Sequence, residues 1–492
     1  MPVDYDLVVI GSSAAGIHAA IAAAKLKARV VLVEQGCPAV GEAFGTHVLA
    51  AMGQRLHQRQ RAVQLELSDA PAPSAKMTWT QAARWSNTAA LAIAETHDPA
   101  VLSSLGIEVM AGCGEFHRKP SLGFMMNGRS LRSRAYLLAI PNLPVVLKPH
   151  TLADATLAAS NIDGLAVVGY LTADSIWQKL PALEPLHRLV IIGADAIGVE
   201  LAQSLGRLGQ SITLIVSTPH ILPHEDPEAA FLIQAQLEAE GVEVLTNTTV
   251  TQVRRIDGKK WVQAGNRAID ADEIMLTATT PFDSATLNLE AANVEASASG
   301  VLVNAKLQTT NPRIYACRGG RAGDRTPELA IADANVALKN ALFLPIATAN
   351  HRHLPSVVAT HPPLARVGQS EPSAVQQFGK DVIMLRQSFK ILAKAQLQDE
   401  TTGFCKLLVH RNGKLLGAHI VGSQADELIG TIALAMQQNL KIQAIADLVL
   451  PTASLSEIMH QTAAEWHDLR LQRNTRLQDF WEGFFNWRRS MH

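Results

Sequence analysis

One pattern, occurring twice, constrains this chain more than any other feature: an apolar run, a turn bracketed by glycines, a helical stretch and a second apolar run. Residues 5–34 read YDLVVIGSSAAGIHAAIAAAKLKARVVLVE, and residues 187–216 read HRLVIIGADAIGVELAQSLGRLGQSITLIV. Short runs rich in β-branched residues and punctuated by glycine predict buried strands, and the segments between them have helical length. Strand, tight turn and helix in that order form a dinucleotide-binding unit. Glycine lets the backbone approach a pyrophosphate, and the helix N-terminus turns unpaired N–H groups toward it. Glu34 closes the second strand of the first copy, where a carboxylate holds a ribose. Two copies imply two nucleotide sites.

The apolar run at residues 7–24 is not expected to be a leader or a membrane span. Asp4 and Asp6 precede it in place of a basic n-region, and Gly11, Ser12, Ser13 and His18 interrupt it. At 492 residues the chain exceeds one hydrophobic core and suits several domains. Its net charge of -1, with 18% charged residues, argues against a nucleic-acid partner or a disordered acidic chain. The four cysteines, Cys37, Cys113, Cys317 and Cys405, form neither a CxxC pair nor a metal-ligand spacing. A reducing, cytoplasmic setting and no metal site are therefore expected.

Beyond residue 350 the texture changes. FCKLLVHRNGKLLGAHIVG has two alternating strands about a hairpin signal, RNGK, and ADELIGTIALAMQQNL has a helical period. Together with HPPLARVGQSEPSAV and ASLSEIM, these segments resemble the C-terminal interface domain of the FAD-dependent pyridine nucleotide-disulfide oxidoreductases. The group includes dihydrolipoamide dehydrogenase, glutathione reductase, mercuric reductase and soluble transhydrogenase, and the order of motifs is similar over roughly residues 4–465. The resemblance implies an α/β protein with two Rossmann-like three-layer domains and a C-terminal α+β dimerisation domain. It divides the chain into an FAD-type domain at 1–150 and 273–350, an inserted NAD(P)-type domain at 151–272, an interface domain at 351–464 and a tail at 465–492. It also implies a homodimer.

Against that family's pattern several site positions differ. Its redox pair is CxxxxC, two thiols that close a disulfide beside the flavin. Here Cys37 is present and Glu42 stands at the second position. The family's His-Pro-Thr-x-x-Glu supplies a proton-shuttling histidine from the partner subunit. Thr452 occupies the histidine's place and Glu457 keeps the carboxylate. In the first glycine motif Gly11 and Gly16 remain and Ser13 takes the middle position; in the second, Gly193 and Gly198 remain and Asp195 takes it. A carboxylate close to a pyrophosphate is expected to repel it by roughly 1–4 kcal/mol. Glu200, in the second helix, could face a nicotinamide. Val216 and Ser217 follow the second unit's last strand and encode neither an NAD nor an NADP preference. The family's Gly-Asp flavin contact after IYA becomes Arg318 and Gly319, with Asp324 five residues on, and AIPN and ATTP replace its Ala-Thr-Gly crossings.

Five aromatic residues, Phe480, Trp481, Phe484, Phe485 and Trp487, crowd the tail at helical spacings, followed by Arg488 and Arg489. Such a helix covers its own dimer or docks on a protein or a membrane surface, which would make the protein peripheral to that membrane. Together these readings give the expectation of a homodimer that is not a disulfide reductase, with FAD binding in doubt and NAD(P) binding more so. It would act as a weakly catalytic or noncatalytic scaffold with altered pockets. The alternative is an FAD-dependent NAD(P)H oxidoreductase of transhydrogenase type.

Overall fold

The structure is a computed structural model that describes residues 3–35, 48–58, 97–119, 121–140, 145–147, 162–172, 188–277, 284–297, 300–317, 327–473 and 475–491, with isolated positions at 84–85, 88–89, 92, 95 and 175–176. Its chain divides into two compact units: Met1–His224 with Gln234–His351, and Glu225–Ile233 with Arg352–His492.

In the first unit the duplicated pattern becomes duplicated topology. One five-stranded sheet runs Ile107–Ala111, Val30–Glu34, Tyr5–Ile10, Ser133–Leu138, Ile314–Ala316, with every neighbour parallel. The other runs Glu243–Leu245, Ser211–Ile215, Arg188–Ile192, Glu273–Leu276, Leu171–Thr172, again all parallel. Both therefore place the first strand of the motif third in the order. Helix α1 (Ala14–Lys25) follows the first motif strand and helix α2 (Ala196–Arg207) the second. Leu7, Val8, Val9 and Ile10 have no exposed surface, which is why this strand reads as an unbroken apolar run rather than an alternating one. Each such side chain contributes roughly 1.5–3 kcal/mol by leaving water. The Rossmann-like α/β class expected from the sequence is borne out.

The second unit is built on a five-stranded antiparallel sheet, ordered Pro355–Val358, Leu364–Gly368, Leu415–Val421, Phe404–His410, Val382–Ser388. Arg411–Lys414, the RNGK hairpin signal, joins its two central strands. Helix Ala425–Gln437 and helix Glu457–Arg473 pack on it, and Trp466 is the largest fully enclosed side chain.

A row of basic residues crosses four of these five strands, one residue on each. Arg366 lies opposite His419, His419 opposite Lys406, and Lys406 opposite Arg386. Helix α3 (Pro227–Ala239) and the residues before it meet this row with carboxylates. Arg366 Nε donates to Glu225 at 2.7 Å, Lys406 Nζ to Asp226 at 3.0 and 3.2 Å and to Glu371 at 3.0 Å, and Arg386 Nε to Glu228 at 2.6 Å. Lys406 also pairs with Glu228 at 2.8 Å. Burial opposes the charge of Lys406, but the hydrogen bonds with Glu228, Asp226 and Glu371 outweigh it and hold its pKa above the ordinary lysine range. This seam accounts for Glu225–Ile233 grouping with the second unit while the rest of α3 belongs to the first.

Candidate active site

The two glycine turns share one backbone design. Gly11 follows its strand with φ of 110°, its N–H donates to Val33 O at 2.9 Å, and Ala139 N donates to Ile10 O at 2.8 Å. Gly193 does the same with φ of 145°, donating to Ile215 O at 3.1 Å, while Thr277 N donates to Ile192 O at 3.1 Å. Neither glycine could carry a side chain: a Cβ on Gly11 would lie 2.4 Å from Ala139 O, and one on Gly193 would lie 2.0 Å from Thr277 Oγ1. Gly16 and Gly198 close the cradles, since their Cβ atoms would fall 2.1 and 3.0 Å from the carbonyls of Gly11 and Gly193. Thr277 belongs to no motif in the sequence. Its signal was positional, because it follows Glu273–Leu276 as Ala139 follows Ser133–Leu138.

Ser13 and Asp195 occupy the middle position of each motif, and the structure gives both the same task. Each is the N-cap of its helix in extended conformation, with φ and ψ of -62° and 164° for Ser13 and -78° and 170° for Asp195. The Ser13 hydroxyl accepts from Gly16 N at 3.2 Å and donates to Ala139 O at 2.6 Å. Asp195 Oδ1 accepts from Gly198 N at 2.9 Å. N-caps of these types satisfy helix amides that have no partner within the helix, and the Asp195 carboxylate also complements the positive end of α2. Both thus shape the cradle from within, and in the second cradle the chain's own carboxylate sits at the anion-attracting end.

Glu34 ends its strand half-buried, level with Ala111. Glu200 lies on α2, 5% exposed, and Val216 is buried just beyond Ser211–Ile215. The first cradle fits a dinucleotide: close glycine approach, a helix N-terminus and a strand-end carboxylate belong to one unit. The second has the same backbone, with a charge where the first has a hydroxyl.

The remaining candidates are less well placed. Thr452 is exposed on the second unit, and Glu457 begins helix α4 (Glu457–Arg473), where its Oε1 accepts from Ser454 N at 3.4 Å, which is one half of a capping box. The carboxylate expected to orient a catalytic partner thus caps its own helix. Cys37, Glu42, Gly319 and Asp324 lie outside the described residues, as do Arg318 and the ATTP segment at 278–281. Burial pushes the Cys405 thiol up to about 12 and raises Cys317 further, so both stay protonated and unreactive. Cys113 is exposed. Among the described residues no group of three His, Cys, Asp or Glu could hold a metal ion, and no helix is long and apolar enough to cross a membrane.

Comparison with known proteins agrees with this geometry. Residues 5–341 match the family described as pyridine nucleotide-disulphide oxidoreductase, and residues 354–463 match its dimerisation domain. A mercuric reductase of Staphylococcus aureus is 30% identical over 92% of this chain and 81% of its own length. A dihydrolipoyl dehydrogenase of Thermus scotoductus is 29% identical over 94% of this chain and 97% of its own. The crystal structure of LpdA from Mycobacterium tuberculosis superposes with a TM-score of 0.78 at 22% identity, covering 93% of this chain and 99% of that one, and bears on the fold.

These findings overturn the expectation that the chain is not a disulfide reductase. Relatives matching over nearly its full length are named for mercuric reductase and dihydrolipoyl dehydrogenase, which points to disulfide oxidoreductase activity. The physical reason is that one thiolate can open a disulfide, releasing one thiol and leaving a mixed disulfide that two electrons from a reduced flavin would cleave, so the loss of a second cysteine at Glu42 does not by itself remove the chemistry. The doubt raised over FAD is likewise unsupported by a family whose members use FAD and NAD(P). The dimerisation domain supports the expected homodimer.

Proposed function

This chain belongs to the pyridine nucleotide-disulphide oxidoreductase family, and on that premise we propose that it is an FAD-dependent oxidoreductase carrying electrons from a nicotinamide nucleotide to a disulfide or similarly thiol-reactive acceptor. The observation that carries the proposal is the intact backbone of the first cradle, where Gly11 and Gly16 leave room that any Cβ would fill. Gly11, Ser13 and Gly16 would receive the FAD pyrophosphate at the N-terminus of α1, and Glu34 would hold its ribose. Gly193, Gly198 and Glu200 would receive the nicotinamide nucleotide. FAD, when bound, accepts a hydride and releases the electrons onward. The balanced reaction is NAD(P)H + H⁺ + RSSR → NAD(P)⁺ + 2 RSH.

Cys37 is the thiol we assign to substrate exchange, because it stands at the first position of the family's CxxxxC frame, whereas Cys317 and Cys405 are buried and held protonated and the exposed Cys113 lies outside that frame. The domain limits at 150, 272, 350 and 464, and contributions from Gly319 and Asp324 to the flavin site, are part of the same proposal. A noncatalytic homodimer is the second reading, and Asp195 is the observation that favours it, since its carboxylate occupies the α2 cap. Anaerobic oxidation of NADH and NADPH in the presence of lipoamide or glutathione disulfide decides between them. Disulfide-dependent turnover that disappears in Cys37→Ser supports the enzyme. Absence of turnover in protein reconstituted with FAD refutes it and leaves the scaffold.

A further inference from the structure

Where the match to the dimerisation domain ends, at residue 463, helix α4 does not. It carries Trp466, 2% exposed, into the second unit's core, and Leu469 packs against the same core. After Arg473 the chain enters helix α5 (Thr475–Ser490), and Gln478 Nε2 donates to Leu471 O at 3.0 Å, tying the new helix to the end of the old. The tail is thus a direct extension of the dimer-forming domain.

Its composition demands cover. Phe480, Trp481, Phe485 and Trp487 are 61%, 43%, 48% and 56% exposed. With Phe484 they form one arc of the helix. Phe480 stacks on Phe484 at 6.4 Å and Trp481 on Phe485 at 6.0 Å, while Phe484 also meets Trp487 at 6.0 Å. Contiguous aromatic surface of this kind marks an interaction site. The opposite arc holds Asp479, Glu482, Asn486 and Arg489, with Arg489 Nη2 bonded to Asn486 Oδ1 at 2.7 Å.

That polar arc selects the occupant. A helix lying on an anionic membrane is rich in lysine and arginine; here Asp479 and Glu482 offset two of the three arginines, Arg476, Arg488 and Arg489, so residues 475–492 carry one net positive charge and no lysine. Continuity with the dimerisation domain points instead to a second copy of this chain. The second unit offers matching apolar side chains, with Leu434, Leu448 and Val449 at 58%, 41% and 96% exposure.

We propose that α5 is a clasp whose aromatic face closes on the dimerisation domain of the partner copy, so that each homodimer carries two related clasps. The proposal rests on the dimer and not on the catalytic reading. The test compares the intact chain, a chain ending at Arg473, and a full-length variant carrying Phe480→Gln, Trp481→Gln, Phe485→Gln and Trp487→Gln, which keeps helix propensity. Sedimentation velocity over a dilution series is expected to show dimer dissociation at tenfold or higher concentration in both altered proteins. Hydrogen exchange on the unaltered protein provides a reading independent of their folding: amides of residues 478–491 are expected to be protected in the dimer and to lose that protection on dilution to monomer. Equal dissociation in all three proteins, or tail exchange insensitive to dilution, overturns the clasp. Co-sedimentation of the intact chain, but not the truncated one, with phosphatidylcholine–phosphatidylglycerol vesicles also overturns it, in favour of a membrane.

Discussion

Replacing Lys406 with methionine tests how the charged seam holds the first turn of α3. Methionine preserves much of the side chain's length and removes its charge, so packing is nearly conserved. Glu228 and Glu371, 39% and 35% exposed, can turn to water, and Glu228 keeps Arg386. Asp226 cannot, since its side chain is 0% exposed and the lysine that pairs with it is 3% exposed. It retains hydrogen bonds from Glu228 N at 3.1 Å and Ala229 N at 3.4 Å and loses contacts at 3.0 and 3.2 Å. Removing one partner of such a buried pair costs about 3–5 kcal/mol. The expected loss is therefore about 3–5 kcal/mol at pH 7. Native-state hydrogen exchange in Phe404–His410 reads this locally, without requiring a two-state transition of the whole dimer. Adding Asp226→Leu should restore part of the loss. A loss below about 1 kcal/mol would refute the reasoning.

Burial, opposed by the nearby carboxylates of Asp226 and Glu225, pulls His419 below its ordinary value of 6.5. The folded state then binds fewer protons than the unfolded state between the lowered value and 6.5, so this contribution is complete above 6.5 and lost as pH falls through that window. Urea titrations at stepped pH should show the loss in the native protein and a flatter profile in His419→Gln. Gly11→Ala forces a Cβ to 2.4 Å from Ala139 O at φ of 110° and should abolish flavin retention, read as the ratio of visible to ultraviolet absorbance. Asp195→Ser keeps a cap oxygen and removes the charge. Stability should change by less than about 0.5 kcal/mol, while NADH affinity rises about fivefold, the equivalent of about 1 kcal/mol; fluorescence titration that finds no tightening rejects the electrostatic reading.

The duplicated fold was legible because its two signals are local: an apolar run long enough for a strand, then glycines spaced for a turn and helix. The functions of Ser13 and Asp195 were half legible. Their residue types are those of helix N-caps, but comparison with a glycine pattern cast them as obstructions and concealed the cap geometry. The charged row was out of reach. The RNGK hairpin joins the strands of Lys406 and His419, yet Arg366, Arg386 and the carboxylates at 225–228 come from segments whose register no local pattern specifies. Glu457 misled for a related reason, since a carboxylate three residues after Ser454 is also a helix-capping signature. The exclusion of disulfide chemistry gave too much weight to Glu42 and Thr452, two positions set against relatives that match over more than nine-tenths of the chain.

The central claim is that the first cradle holds a flavin that serves a thiol-dependent reaction. It is tested most directly by the visible spectrum of protein purified without added flavin, recorded anaerobically before and after NADH or NADPH and then after a disulfide. The account predicts flavin absorption near about 450 nm, bleached by at least one of the nucleotides and restored by the disulfide in the native protein but not in Cys37→Ser. A colourless protein that FAD neither binds nor stabilises would contradict it.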